Sequence, residues 1–407
     1  MKKTVLREYA KLIAKAGANV QKGQEVFITA ELDQPEFVAM VVDECYKLKA
    51  KKVVVDWSYQ PLTKLHVRYR SVKTLSTLDN YEEARWQHYV DTIPCRIYLI
   101  SEDPDGLRGV NQEKMAKSQQ AKYPIIKGYR DQIENKYQWC IAAVPGEKWA
   151  KKLFPELRAS QAVEKLWDAI LKTSRVTDDP IKAWEDHNRD LHDRCEYLNK
   201  LHIRELRYKS SNGTDFTVGM IPEAQFCGGG ETSLQGIFFN PNIPTEECFI
   251  SPMRGVAEGI VYATKPLSYQ GQLISGFWIR FHEGKAVEWH AEENNELLTK
   301  LIEMDEGSRY LGECALVPFD SPINQTGLLF YNTLFDENAC CHLALGMGFA
   351  DTIRDFRNKT LDECRKLGVN DSMIHEDFMI GSADLSIDAV CEDGKTVAIF
   401  RNGTWAF

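Results

Sequence analysis

The sequence predicts an α/β fold in which an N-terminal α/β domain with a parallel sheet, residues 1–200, precedes a C-terminal α+β domain, residues 201–407. Three observations support this prediction. A chain of 407 residues is too long for one ordinary hydrophobic core. Its first third alternates between helical and strand patterns. From about residue 202, short strand patterns separated by glycine turns dominate.

The first elements predict a β-strand, a helix and a second β-strand in succession. Apolar residues from Val5 to Ala16 recur with helical spacing and stop at Gly17. A strand at residues 25–29 follows, then a helix opened by Pro35 and a valine-rich strand at residues 52–56. This βαβ order implies a parallel sheet with a right-handed crossover. Further strands are predicted at residues 96–101 and 138–144, and two helices over residues 159–199 with a break near Pro180.

The second half of the sequence has the pattern of strands and helices that is typical of an α+β domain. Glycine turns such as Asn212-Gly213 and Glu283-Gly284 separate its short strand patterns. The predicted strands are residues 203–209, 215–220, 259–265, 272–282 and 285–290, with a closing hairpin of residues 389–391 and 397–401. Helices are predicted at residues 292–306 and 350–367.

Composition excludes several functional classes. A net charge of −9 and a pI near 5.6 give no general attraction to nucleic acid or to anionic membrane surfaces. No uncharged run approaches the roughly 20 residues of a membrane span. No glycine-rich nucleotide-binding motif follows a predicted strand. We therefore expect neither a nucleic-acid partner nor a membrane partner.

Cysteine usage and the N-terminus favour a reducing compartment. The chain has 11 cysteines, an odd number, and contains no CxxC pair, which argues against a disulfide scaffold or a cysteine-ligated zinc site. Lys11, Lys15 and Lys22 interrupt the opening segment, so it does not match a signal peptide. We expect a cytoplasmic protein.

The most informative segment is Ile374-His375-Glu376-Asp377-Phe378, inside an apolar stretch at residues 373–380. If this stretch is a strand, His375 and Asp377 share one face. An imidazole and a carboxylate side by side on a rigid strand can form half of a divalent-metal site. The alternative is a surface strand that carries an ion pair.

Three further residues whose side chains can bind metals lie in apolar segments flanked by glycines. Glu247 lies in an extended segment bounded by prolines, Glu313 opens an apolar strand, and His342 follows a cysteine pair. Each has an ordinary explanation: a solvated loop carboxylate, a strand-start acceptor and a core histidine, respectively. Their recurrence in one domain favours a shared site, because buried charge is costly unless it is paired or bound to metal.

These segments resemble the signature blocks of the thermophilic aminopeptidase family of dinuclear metallopeptidases, peptidase family M29. The blocks are residues 244–252, 305–318, 342–349 and 373–381. The resemblance extends over essentially the whole chain, including an N-terminal opening of the Tyr9-Ala10-Lys11-Leu12 kind.

The resemblance implies a metal-dependent aminopeptidase, usually a homodimer, in which residues 201–407 form the metal-binding catalytic domain. Its substrates would be short peptides, and it would hydrolyse them at the N-terminus through a hydroxide bridging two divalent cations such as zinc, cobalt or manganese. The ligand pattern of the family falls on Glu247, Glu313, His342, His375 and Asp377. Glu313 is also the candidate catalytic residue, as a bridging ligand or as a proton shuttle.

One position departs from the family pattern. Seven residues after the ligand histidine the family commonly has an active-site tyrosine, whereas this chain has Phe349. Loss of one oxyanion donor costs on the order of 2.7–4 kcal/mol, or about 10²–10³ in rate. A catalytically weakened homologue that binds peptide or metal without efficient turnover is therefore the alternative. A cysteine hydrolase is a third hypothesis, although no cysteine occupies a setting that would activate its thiol.

Overall fold

The computed structural model describes all 407 residues, and they form two compact units. Unit 1 comprises Met1–His187 and Gly230–Thr245, and unit 2 comprises Asn188–Gly229 and Glu246–Phe407. The Gly230–Thr245 segment therefore belongs to unit 1, although it lies in the strand-rich half of the sequence.

Twelve α-helices occur along the chain. In order they are α1 Lys3–Leu12, α2 Pro35–Lys47, α3 Gln60–Tyr69, α4 Val72–Ser76, α5 Asn80–Thr92, α6 Gln112–Ile133, α7 Glu147–Leu153, α8 Ala159–Thr173, α9 Pro180–Lys200, α10 Asn295–Ile302, α11 Thr333–Asp336 and α12 Leu361–Leu367. A π-helical turn, Ile13–Gly17, extends α1. Short 3₁₀ turns lie at Gly307–Arg309, Asn324–Thr326, Glu337–Ala339, Ala350–Thr352 and Phe356–Asn358. No helix combines the length and the apolar character that spanning a membrane requires.

Strands supply the framework of both units. In order they are β1 Glu25–Glu31, β2 Lys52–Ser58, β3 Cys95–Ile100, β4 Trp139–Ala143, β5 Ile203–Lys209, β6 Asp215–Met220, β7 Cys227–Gly228, β8 Glu231–Thr232, β9 Phe238–Phe239, β10 Asn242–Ile243, β11 Cys248–Ile250, β12 Pro252–Tyr262, β13 Leu267–Tyr269, β14 Gln272–His282, β15 Lys285–Glu293, β16 Leu311–Leu316, β17 His342–Gly346, β18 His375–Met379, β19 Ser386–Cys391, β20 Thr396–Arg401 and β21 Thr404–Trp405.

Unit 1 is built on a five-stranded parallel sheet with the strand order β10-β4-β3-β1-β2. Side chains alternate between its faces. Val26, Ile28 and Ile97 are buried on one face, whereas Phe27 and Arg96 lie on the other face and are only partly buried. The parallel pairing of β1 with β2 follows from the helical crossover between them.

Unit 2 contains two antiparallel sheets. The larger has the order β13-β14-β12-β6-β5-β19-β20-β21, with β15 beside β14, and the smaller has the order β18-β17-β16-β11-β7. Leu343 and Phe378 of the smaller sheet belong to the same buried apolar cluster as Phe277 and Ile279 of the larger sheet. The smaller sheet therefore has one apolar face on the core, and its other face can carry polar chemistry.

The fold-class prediction is confirmed, since a parallel five-stranded sheet and antiparallel sheets are both present. The predicted strand at residues 373–380 is β18. The predicted helix at residues 350–367 is wrong, because only α12, at its C-terminal end, is α-helical. Asp355 adopts a left-handed backbone conformation, which interrupts a helix, and Thr360 forms a capping box that starts α12.

Candidate metal centre

Five side chains that the sequence singled out lie on one face of the smaller sheet of unit 2. Glu313 lies on β16, His342 on β17, and His375 and Asp377 on β18, while Glu247 directly precedes β11. Residues two apart along a strand point to the same face, and antiparallel pairing places the strands side by side. The sheet thereby brings together residues that are far apart in the sequence.

Each candidate ligand on β16, β17 and β18 stands opposite a small residue of a neighbouring strand. Ala344 lies between Glu313 and Asp377 at the same level of the sheet, and its methyl group leaves space between the two carboxylates. The cross-strand pairs are Glu313–Ala344, Asp377–Ala344, His342–Ala315 and His375–Gly346. On β17, His342 is itself a candidate ligand, whereas Ala344 and Gly346 are small and leave space for the candidate ligands on the neighbouring strands.

The carboxylates surround the Nε2 atoms of the two histidines. His342 Nε2 lies 3.2 Å from Glu247 Oε2, 4.0 Å from Glu313 Oε1 and 3.9 Å from Asp377 Oδ1. His375 Nε2 lies 3.0 Å from Glu313 Oε2 and 3.4 Å from Asp377 Oδ1. Glu313 directs a different oxygen to each imidazole. The His375 side chain is 20% exposed, whereas that of His342 is 1% exposed, so the cluster opens on the His375 side.

Both histidines are oriented by the backbone. The Nδ1 atom of His342 is 3.3 Å from the Cys340 carbonyl oxygen, and that of His375 is 2.7 Å from the Met347 carbonyl oxygen. A hydrogen bond from Nδ1 to a carbonyl fixes the ring and leaves Nε2 to face the carboxylates. Histidines that ligate metals commonly have this arrangement.

Burial and neighbouring charges shift the pKa values of these groups. Burial, the largest effect, and the charges of Glu247 and Asp377 raise the pKa of Glu313 to about 7. Burial alone would lower the pKa of His342, but its hydrogen bond to Glu247 and the surrounding carboxylates raise it to about 9. The same competition raises the pKa of His375 well above its ordinary value. Imidazolium groups therefore balance the carboxylates at neutral pH, and a divalent cation would displace their protons.

The donor set fits a pair of divalent cations. Two groups of three ligand atoms, each within 4.8 Å of one another, share Glu313: one with Glu247 and His342, the other with His375 and Asp377. Asp377 Oδ1 is buried and accepts no hydrogen bond, and its nearest charged neighbour is the His375 imidazole at 3.4 Å, so this oxygen remains available to a cation.

A fourth buried acidic residue, Glu337, faces the same cluster and was not identified from the sequence. It lies in the 3₁₀ turn before β17, and its carboxyl group is hydrogen bonded to Asp377. Burial and the nearby charges of Asp377, Glu247 and Glu313 raise the pKa of Glu337 well above its ordinary value. The signal that could have pointed to it is an acidic residue five positions before His342.

Asn338 connects Glu337 to the segment that carries Glu247. Its side-chain oxygen accepts a 2.7 Å hydrogen bond from the Glu246 N–H, and its amide nitrogen donates to Glu337 Oε1 at 3.2 Å and to the Leu334 carbonyl at 3.0 Å. Asn338 is fully buried, so these contacts fix two acidic segments relative to each other.

Comparison with known proteins assigns the chain to a family. The model of the thermophilic metalloprotease family (M29) matches residues 2–405. The chain belongs to the M29 family. It is 39% identical over 404 residues to aminopeptidase AmpS of Bacillus subtilis, covering 99% of this chain and 98% of that protein. It is 36% identical over 405 residues to aminopeptidase T of Thermus aquaticus, covering 98% of each protein. The solved structure of wild-type AmpT from Thermus thermophilus superposes with a TM-score of 0.88 at 35% identity, covering 100% of both chains.

In this M29 chain, Phe349 borders the cluster. Its ring centroid lies 4.7 Å from that of His375 and 5.8 Å from that of Phe249. The Phe349 N–H donates a 2.7 Å hydrogen bond to Ser251 Oγ, which holds the segment beside the sheet. The exposed side of the cluster is therefore bordered by an aromatic ring without a hydroxyl group.

The thiols near this M29 cluster are unsuited to nucleophilic catalysis. Burial raises the pKa of Cys340 to about 11 and keeps the pKa of Cys314 and of Cys341 above the ordinary value. A thiolate is the reactive form of cysteine, and these groups remain protonated at neutral pH. This observation weighs against the cysteine-hydrolase hypothesis.

Proposed function

We propose that the chain is a metal-dependent aminopeptidase that removes N-terminal amino acids from short peptides, with two divalent cations held at the cluster on β16, β17 and β18. The main observation behind this proposal is that the Nε2 atoms of His342 and His375 lie close to buried carboxylates. Contacts with backbone carbonyl oxygens orient both imidazole rings toward these carboxylates. Family membership and relatives named as aminopeptidases support the reaction type.

Glu247, His342 and Glu313 would hold one cation, and Glu313, His375 and Asp377 the other. Glu337 is a further candidate ligand, because its carboxyl group contacts Asp377. Mixed carboxylate and imidazole ligation suits zinc, cobalt or manganese. When bound, the cations would supply Lewis acidity to the scissile carbonyl and would lower the pKa of a water nucleophile.

The side chains of the site would provide proton transfer and substrate orientation. Glu313 is the candidate catalytic residue, as a bridging ligand, a proton shuttle or both, since its two oxygens face different histidines. A carboxylate of the cluster would hold the free amine of the substrate, which would select for N-termini. The proposed catalytic domain is the C-terminal half from about residue 201, and the expected homodimer is supported by the family resemblance.

The test combines metal analysis with a substrate panel. We expect the purified protein to bind two cations per chain and to hydrolyse leucyl, arginyl and other aminoacyl arylamides, with activity lost to a chelator and restored by cobalt, zinc or manganese. Glu313→Gln should lose metal, activity or both. If this variant keeps full metal content and full hydrolysis, Glu313 has neither role. Light scattering of the purified protein measures the oligomeric state.

The second candidate function is a weakened homologue that binds peptide or metal without efficient turnover. Phe349 favours this alternative, because no hydroxyl is available at that position to stabilise an oxyanion. Bound metal together with no turnover of any substrate under any of the three metals would establish it.

A further inference from the structure

A cavity lies on the partly exposed face of the parallel sheet in unit 1. Phe27 of β1 pairs with Arg96 of β3, and Thr29 of β1 pairs with Tyr98 of β3, so these four side chains share that face. Parallel sheets are usually apolar on both faces. Here β1, β2, β3 and helix α5 surround a cavity of about 390 Å³, within the size range of small-molecule sites.

Arg96 lies among aromatic rings at this cavity. Its guanidinium carbon is 4.3 Å from the ring centroid of Tyr89, 5.0 Å from that of Tyr137 and 5.6 Å from that of Trp86. Two of its nitrogens, Nε and Nη2, are shielded from solvent and have no hydrogen-bond partner. Buried donors without acceptors are rare, because each loses its hydration without compensation.

The other charged groups around the cavity are paired. Arg85 binds the Asp56 carboxylate and the Tyr89 hydroxyl, and Glu82 lies 3.4 Å from Lys122 Nζ. Arg96 has a hydrogen bond with Tyr98 but forms no ion pair with a carboxylate. Arg96 is therefore the one charged group at the cavity that forms no ion pair within the protein.

We propose that this cavity binds a small carboxylate that carries a flat apolar group of about single-ring size. The Nε and Nη2 atoms form one edge of the guanidinium, and that edge matches the two oxygens of a carboxylate. The surrounding rings offer faces on which an aromatic group can stack. The charge of Arg96, which no carboxylate of the protein neutralises, disfavours a cationic ligand. Because Nε and Nη2 are shielded from solvent, binding requires the aromatic side chains around Arg96 to shift. This proposal is independent of the metal centre in unit 2.

The test measures binding of hydrocinnamate and of its uncharged amide to the full-length, chelator-treated protein by calorimetry. Chelation removes direct binding of the carboxylate to metal. We expect hydrocinnamate to bind about tenfold to a hundredfold more tightly than the amide, since only the carboxylate can accept two charge-assisted hydrogen bonds. Arg96→Met should abolish this preference. Arg68→Met is the matched control, because Arg68 is exposed and lies over the Tyr69 ring away from the cavity, and it should leave the preference unchanged.

Two further variants test the proposal if the Arg96→Met protein does not fold. Arg96→Lys keeps the positive charge but replaces the paired N–H donors of the guanidinium with a single ammonium group. This variant should bind hydrocinnamate at least about fivefold more weakly than the natural protein. Trp86→Phe should remove most of the ligand-induced change in tryptophan fluorescence. Equal affinity for hydrocinnamate and its amide, no binding of either, or an unchanged preference in a folded Arg96 variant would overturn the proposal and leave Arg96 with a purely structural role.

Discussion

The Phe349 ring lies against the His375 imidazole, with ring centroids 4.7 Å apart and planes inclined by 48°. His375 is the most exposed of the candidate ligands on β16, β17 and β18, so Phe349 occupies the side from which a substrate could approach. A phenyl ring there can pack against a substrate but cannot donate a hydrogen bond. We therefore expect this contact to limit turnover by the proposed peptidase, because no hydroxyl group is available here to stabilise an oxyanion.

Phe349→Tyr is expected to increase kcat for aminoacyl arylamide hydrolysis, by up to about 10²–10³, with little change in KM. The added hydroxyl would stabilise charge that develops only in the transition state. Phe249→Tyr is the matched control, since it adds the same atom to the neighbouring ring, which packs against Phe349. An increase of the same size in both variants, or a decrease in Phe349→Tyr with metal content intact, would contradict this prediction.

Asn338→Ala is expected to weaken metal binding by about 10–100-fold. The substitution removes the hydrogen bonds that join the Glu246 backbone to Glu337. It also removes the side-chain acceptor of the buried Glu246 N–H, so the free energy of unfolding should fall by about 1–3 kcal/mol. Metal titration and chemical denaturation measure the two effects. Asn332→Ala, at a partly buried asparagine before α11, is the control and should keep normal metal affinity.

Metal affinity should increase with pH. The carboxylates hold a proton on His342, whose pKa is raised to about 9, so a cation must displace it below that pH. The apparent affinity should rise by up to about tenfold per pH unit for each proton released. Calorimetry in buffers of different ionisation enthalpy counts these protons. No proton release at pH 7 would contradict the assignment of the imidazoles as ligands.

The same raised pKa predicts the opposite trend for the stability of the chelated protein. Since the folded pKa of His342 exceeds the unfolded value of about 6.5, its contribution is fully present below that pH. The contribution is lost as the pH rises through about 9. Denaturation of the chelated protein across this window should therefore show falling stability, and a bound metal should reverse the trend.

Local patterns predicted the longer strands and the candidate ligands, because each candidate lies within an apolar strand or directly beside one. His375 and Asp377, at alternate positions of β18, are the clearest example. Glu337 was not predicted, because it lies in a 3₁₀ turn. The sequence of such a short turn contains no periodic pattern from which the direction of a side chain can be inferred. The Gly230–Thr245 segment joins unit 1 through contacts distant in sequence, including pairing of β10 with β4. Such pairings leave no signal in a short window of sequence.

Ala344 provides a test of the site that changes no ligand. It lies between Glu313 and Asp377 in the sheet, so Ala344→Val would place two additional methyl groups between their carboxylates. We expect loss of bound metal and of activity, with a fold that is destabilised by no more than about 1–3 kcal/mol. Ala344→Ser is the matched control, because a single added oxygen fits a polar site and should retain metal. Circular dichroism and thermal unfolding verify the fold, and elemental analysis measures the metal. A folded Ala344→Val variant with two bound cations would show that the cations lie elsewhere, because the valine methyl groups would occupy the space between Glu313 and Asp377.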